Sequence, residues 1–243
     1  MTDEPEDLVT QPFMAHLIEF RDRVLRAFIA VLLIFAALFS FSQQLYLYIS
    51  EPIREYLPAT SSMIATEVAS PFLTPFKLTL VLSFFAAMPY ILYQVWAFVA
   101  PGLYQREKKI VIPLFCSSVI LFYAGMAFAY YVVFPLVFLF FTSIAPEGIS
   151  VMPDIRSYLD FVLKLFFAFG LSFEIPIAVV ILSWMGVVDP DNLAKKRPYV
   201  FVLCFVLGML LTPPDIISQT LLAIPMWLLF EIGILFGRLI KPD

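Results

Sequence analysis

Apolar residues run along this chain in blocks too long for an ordinary soluble fold. The blocks lie at about 23–42, 76–99, 110–141, 158–184, 199–212 and 217–237, and a helix crossing a roughly 30 Å hydrocarbon layer needs about 20 such residues. The pattern predicts an all-α membrane protein with six transmembrane helices. The fifth block is short, because about 14 residues at roughly 1.5 Å each span only about 21 Å. Thr212-Pro213-Pro214-Asp215 then turns the chain sharply. The fifth and sixth blocks therefore read as a hairpin of short spans that thins the bilayer locally or leans on longer neighbours.

Between the blocks the periodicity changes. Phe13, Leu17, Phe20 and Val24 recur at helical spacing, with His16, Glu19, Arg23 and Arg26 on another face. This suits an amphipathic helix at the membrane interface that continues into the first span. Glu19 and Arg23 stand one turn apart, a pair worth about 0.2–0.5 kcal/mol on an exposed helix. In the segment 43–75, Leu45, Tyr48, Ile49 and Ile53 suggest a second surface helix that Pro52 bends or stops, with Tyr46, Tyr48 and Tyr56 anchoring a cap at headgroup level. Pro146, Gly148 and Pro153 mark the segment 142–157 as turns. Asp160 and Lys164 are expected to form an i,i+4 pair.

Composition agrees with a lipid environment. Of 243 residues 62% are hydrophobic, against roughly 45–50% apolar in a soluble domain, and the mean hydropathy is +0.94. Residues 1–12 hold Asp3, Glu4, Glu6 and Asp7 with no base, which fits neither a secretory signal nor a transit peptide. They read as a disordered acidic tail ahead of a single membrane domain, 13–243. Cys116 and Cys204 fall inside apolar blocks and are expected to be buried thiols.

The charge distribution says more than the net −4. Six spans put both termini on one side, with Arg21, Arg23, Arg26, Arg106, Lys108, Lys109, Lys195, Lys196, Arg197, Arg238 and Lys241. The other side holds only Arg54, Lys77, Arg156 and Lys164. Basic flanks stay in the cytoplasm, so both ends are expected there.

Candidate chemistry is sparse. The loop Ala100 to Lys109 carries one acid, Glu107, among Arg106, Lys108 and Lys109. It is either a local ion-pair partner or an acceptor for an incoming cation. Glu174 lies deep in the fourth block, where a carboxylate facing lipid costs a few kcal/mol or more. It bonds to a neighbouring helix or opens a polar patch to water or a partner, with Gly170 and Pro176 kinking the helix beside it. Glu231 is expected to be structural, paired with Arg238. There is no HExxH, GxSxG, phosphate loop or dinucleotide fingerprint, so no enzyme, cofactor or metal is expected. Short membrane-flanking basic clusters give no nucleic-acid surface. Three readings stay open on the residues alone: an acceptor of an incoming cation at Glu107, a proton-coupled small-solute transporter using Glu174, and a structural scaffold for other membrane proteins.

Five separated motifs narrow the choice: His16-Leu-Ile-Glu19-Phe-Arg21, Ser62-Met-Ile-Ala-Thr-Glu-Val-Ala-Ser-Pro71, Leu92-Tyr-Gln-Val-Trp-Ala-Phe98-Val-Ala-Pro-Gly-Leu-Tyr104, Lys195-Lys-Arg-Pro-Tyr199 and Met209-Leu-Leu-Thr-Pro-Pro-Asp215. In this order they resemble TatC, the multi-spanning component of the twin-arginine protein translocase. The resemblance implies a glove-shaped concave bundle in the bacterial cytoplasmic (inner) membrane, exporting folded proteins on the proton-motive force. It implies that Glu19 and Glu107 receive the twin-arginine signal peptide, with Arg21 in the same segment and Phe98 and Leu103 as apolar support. Guanidinium forks match carboxylates bidentately, which lysine cannot reproduce. The resemblance also places Glu174 on the concave face, Asp215 and Gln219 among polar positions around the last two spans, and TatB-like and TatA-like single-span partners near Met209 in a multimer. Phe20 stands where leucine is usual, and Gln105-Arg106 precede Glu107.

Overall fold

The computed structural model describes residues 7–56, 63–99, 108–143, 152–211 and 216–240. Regular structure among them is helical except for one isolated bridge, where Ile64 N–H donates to the Pro153 carbonyl and Ile155 N–H to the Ile64 carbonyl. Helix α1, Asp7–Leu38, begins inside the stretch 1–12 and passes through a 3-10 turn, Phe39–Phe41, into α2, Ser42–Tyr56. The expected first span and surface helix are thus one helical run, apolar over the 35 residues Leu17–Glu51. Pro52 does not end α2, whose backbone continues to Tyr56.

Helices α3, Ser70–Ala86, and α4, Met88–Val99, meet at a 47° bend. Pro89 explains it: its nitrogen has no hydrogen to return to the Phe85 carbonyl, so the helical ladder breaks at Ala87. Helix α5, Lys108–Phe128, continues through a π turn, Ala129–Val133, into α6, Phe134–Ser143. Helix α7, Ile155–Ser172, is followed after a two-residue turn by α8, Ile175–Trp184, with Pro176 in the first turn where its missing N–H costs nothing. A short α9, Pro190–Lys195, leads to α10, Arg197–Leu211, and α11, Ile216–Ile240, closes the described chain. Four runs are long and apolar enough to cross a membrane, or five when the bent pair α3–α4 is one span. The expectation of six depends on counting α10, of 15 residues, as well.

The chain divides into two compact units, residues 1–40 with 79–116 and residues 41–78 with 117–243. In the first, α1 packs on α4 over a small core of Phe85, Ala87, Met88 and Trp96. Over the most apolar 18 residues of the first run only 6% are buried, and Leu25, Phe28, Ile29 and Leu33 point outward, as a helix solvated by lipid can. In the second unit α8 and α10 both pack on α11. Its interior is aromatic, with Phe134 against Phe166 at 5.2 Å and Phe128 against Phe169 at 5.4 Å between ring centres. Helix α2 is tied to this interior through its own carbonyls: Tyr158 O–H donates to Ile49 at 2.8 Å and Tyr130 O–H to Tyr48 at 3.2 Å.

Three local expectations are corrected. Asp160 accepts from Lys77 at 2.5 Å, across from α3, rather than from Lys164 one turn along its own helix. Glu231 is gripped by Arg197 at the start of α10, with Nε and Nη2 each 2.7 Å from a carboxylate oxygen, while Arg238 turns to Asp191. Cys204 is buried as expected, but Cys116 is exposed on α5.

Candidate functional site

Glu19 lies on α1, at the level where the polar start of that helix gives way to its apolar run. Arg23, one turn later, donates from Nη2 at 2.6 Å and from Nε at 3.0 Å to its Oε1. The same guanidinium reaches α4, donating to the Gln94 side-chain oxygen at 3.3 Å and the Ala97 carbonyl at 3.1 Å. One arginine therefore binds the carboxylate and staples two helices together. Such a planar fork distributes several donors in fixed directions, which suits shared use. The Glu19 side chain is 38% exposed and that of Arg23 only 21%, so the acid faces outward and its partner is set behind it.

The neighbouring side chains complete this corner. Phe20 packs on Phe98 with ring centres 5.7 Å apart, and a phenylalanine in place of leucine gives that contact its aromatic character. Arg21 points away, pairing with Asp22 at 2.8 Å in an exposed position. The structure thus brings Glu19 into the same α1–α4 corner as Phe98, and leaves Arg21 outside it. Glu107 and Leu103 lie outside the described residues. Gln94 was not among the expected site residues, yet it is 5% exposed and holds the arginine that holds Glu19. Its signal was present in the sequence, as an amide in the middle of an otherwise apolar run.

Glu174 occupies a different setting. It sits in the turn between α7 and α8, and Ser118 on α5 donates to its Oε2 at 2.5 Å. Its Oε1 is buried with no hydrogen-bond partner among the described residues. Helices α5 and α7 approach closely here: a Cβ added to Gly125 would lie 2.5 Å from the Phe169 carbonyl oxygen, and one added to Gly170 2.7 Å from the Phe122 ring. Gly170 therefore serves close packing, and the helix break falls at Phe173–Glu174 instead.

At the α10–α11 hairpin Gln219 donates from Nε2 to the Phe205 carbonyl at 2.7 Å, beside Gly208. Its amide closes the hairpin from within. Met209 is half exposed on the outward face of α10, together with Val206, Leu207 and Leu210. Asp215 lies outside the described residues.

The family model described as Sec-independent protein translocase protein (TatC) matches residues 15–225. The chain is 62% identical over 241 residues to a Sec-independent protein translocase protein TatC from Azotobacter chroococcum, covering 99% of this chain and 94% of that one. It is 59% identical over 229 residues to the TatC protein of Escherichia coli K12, covering 94% and 89%. A crystal structure of a twin arginine translocase receptor, TatC, superposes with a TM-score of 0.84 at 37% identity, covering 93% of this chain and 99% of the other. These matches do not favour a small-solute transporter, and they place a multi-pass helical chain in a translocase rather than among enzymes. With 62% identity over 99% of its length and a family model matched across 15–225, the chain belongs to the TatC family of Sec-independent protein translocase proteins.

Proposed function

We propose that the chain is the signal-peptide receptor and core subunit of a translocase that exports folded proteins across the bacterial cytoplasmic (inner) membrane, driven by the proton-motive force. Glu19 and Glu107 together take the two arginines of the signal peptide, with Phe98 and Leu103 supporting the adjacent apolar segment and Arg21 lying in the same N-terminal stretch. The observation that carries this reading is Glu19 itself: a half-exposed carboxylate at the membrane boundary that already holds a guanidinium. An incoming arginine presents the same fork and exchanges with Arg23, whose remaining bonds to Gln94 and Ala97 keep it in place.

The proposal includes six spans with both termini cytoplasmic, a glove-shaped bundle formed by residues 13–243, and an acidic tail at 1–12. TatB-like and TatA-like partners pack along α10 near Met209, and Glu174, Asp215 and Gln219 offer polar contacts on the concave side. The complex is a multimer. Photo-crosslinking tests the central claim. A twin-arginine peptide is expected to crosslink to probes at positions 19 and 107, and Glu107→Lys is expected to abolish that while membrane insertion stays normal. Unchanged crosslinking in Glu107→Lys removes the two-acid site.

A further inference from the structure

Where α3 and α7 begin, the structure holds a cavity of about 230 Å³ that the signal-peptide reading does not use. Its polar wall includes Glu67, Ser70, Lys77, Arg156 and Asp160. Four of these form two ion pairs between the α3 side and α7: Lys77 donates to Asp160 at 2.5 Å, and Arg156 donates to Glu67. These four side chains are between 34% and 54% exposed, so a ligand can reach them. Ser70 differs. It is 1% exposed, and its hydroxyl has no hydrogen-bond partner among the described residues. Buried hydroxyls are nearly always bonded, so an unpartnered one in a cavity wall points to a group the cavity takes in.

The charges select the ligand. Two cations and two carboxylates balance, so a simple anion meets repulsion as well as attraction. A zwitterion with a phosphate at one end and an ammonium at the other finds an opposite partner for each. Arg156 uses Nη1 on Glu67, and its other guanidinium donors suit phosphate oxygens. Carboxylates accept more than one hydrogen bond each, which a primary ammonium can supply and a trimethylated one cannot. The volume lies below the roughly 300–1,000 Å³ of sites for drug-sized molecules, so it suits a headgroup rather than a whole solute.

Position then selects the source. Arg156 is the second residue of the apolar run Ile155–Trp184, which sets the cavity at headgroup level. Phe72 and Leu73 beside it are exposed apolar side chains that acyl chains can cover. The segment before α3 is tied to the start of α7 by the Ile64 bridge and by Asp154, which accepts from Thr66 and Ser157.

We propose that this cavity is a headgroup site for a glycerophospholipid whose phosphate carries a primary ammonium, the ethanolamine class. The phosphate lies on Arg156 and Lys77, the ammonium on Glu67 and Asp160, and the Ser70 hydroxyl donates to a phosphate oxygen. Native mass spectrometry of the full chain in detergent, with equimolar dioleoyl phosphatidylethanolamine, phosphatidylcholine and phosphatidylglycerol, tests it. The ethanolamine lipid is expected to be retained about tenfold over the choline lipid, the ratio one charge-assisted hydrogen bond supplies. Glu67→Gln is expected to remove most of that preference. Ser70→Ala keeps both ion pairs, provides the test if the charge variant does not fold, and is expected to lower retention about threefold. Soluble phosphoethanolamine at the same concentration is expected to displace little. Equal retention of the ethanolamine and choline lipids overturns the proposal, as does unchanged retention in Ser70→Ala. Displacement by soluble phosphoethanolamine overturns it in favour of a free zwitterion. None of these outcomes touches crosslinking at position 19, so this proposal and the receptor reading fail separately.

Discussion

Glu19 and Glu174 are both acids in a chain made for lipid, and their surroundings treat them in opposite ways. At the α1–α4 corner the carboxylate has a cation one helical turn away, and that cation is shared with an amide and a carbonyl on the next helix. In the α5–α7 interior the carboxylate has one hydroxyl, and its second oxygen is buried without a partner among the described residues. The first arrangement keeps both charges paired and hydrogen-bonded at the membrane boundary. The second leaves one acceptor oxygen desolvated with no bond among the described residues to offset the cost. Position relative to the apolar run decides the difference: a charged pair is tolerated at the boundary, while polar atoms inside a span are expensive and tend to be functional.

The two regions should also break differently. Gly125→Val is expected to have the largest effect, destabilising the interior around Glu174 by about 3 kcal/mol or more. The added Cβ meets a backbone oxygen at 2.5 Å, and backbone cannot swing aside as a side chain can. Thermal unfolding of the detergent-purified chain measures it, and a change below about 1 kcal/mol would mean that the α5–α7 contact is looser than described. Arg23→Ala comes next, at about 2 kcal/mol, because it removes the Arg23 guanidinium from Glu19 and two hydrogen bonds from α4 at once. Arg23→Lys is expected to recover less than half of that, since one ammonium cannot span the carboxylate, Gln94 and Ala97 with the geometry of the fork. Full recovery would reduce the corner to a simple charge pair.

How far the sequence revealed these regions depends on whether the information was local. The fourth apolar run was expected at 158–184 and is found at Ile155–Trp184, because hydropathy alone sets where a helix can sit in lipid. The Glu19–Arg23 pair was readable for the same reason, since i,i+4 neighbours on a helix meet whatever else the chain does. Asp160 and Glu231 were not readable. Each had a plausible local partner, and each instead bonds to a residue on another helix, Lys77 and Arg197. Such choices are fixed by the register between helices, which periodicity does not encode. Gly170 and Cys116 follow the same rule: whether a position in an apolar helix faces Phe122 or the outside depends on a neighbour chosen by the fold. Gln94 differs: it was not singled out, although an amide in an apolar run is a local signal, and only the reach of Arg23 explains its burial.

A smaller effect sharpens the interior half of the comparison. Ser118→Ala leaves Glu174 without its hydroxyl donor, and Glu174→Gln leaves Ser118 with a neutral acceptor. A double-mutant cycle between them is expected to give a coupling of about 1 kcal/mol. Coupling indistinguishable from zero would mean that the 2.5 Å contact contributes nothing to stability, and Glu174 would then be held by packing alone.

The smallest effect concerns Asp154, the cap of α7 that lies just outside the apolar run. Its carboxylate accepts from the Ser157 backbone N–H, and also from the backbone and hydroxyl of Thr66, which holds its acidity at about 2 rather than the usual 3.8. A carboxyl with a lowered folded value stabilises fully above its unfolded value, and the contribution is lost as pH falls through the folded one. The window is therefore between about pH 4 and pH 2. Hydrogen–deuterium exchange across that window is expected to show the amides of Ile64, Thr66 and Ser157 losing protection together, while those in the middle of α7 do not change. Asp154→Asn is expected to flatten the pH dependence and lower protection at neutral pH, because the neutral amide accepts the same bonds more weakly. If the wild type and Asp154→Asn lost protection identically on acidification, the cap would owe its strength to the Ile64 bridge and not to the charge.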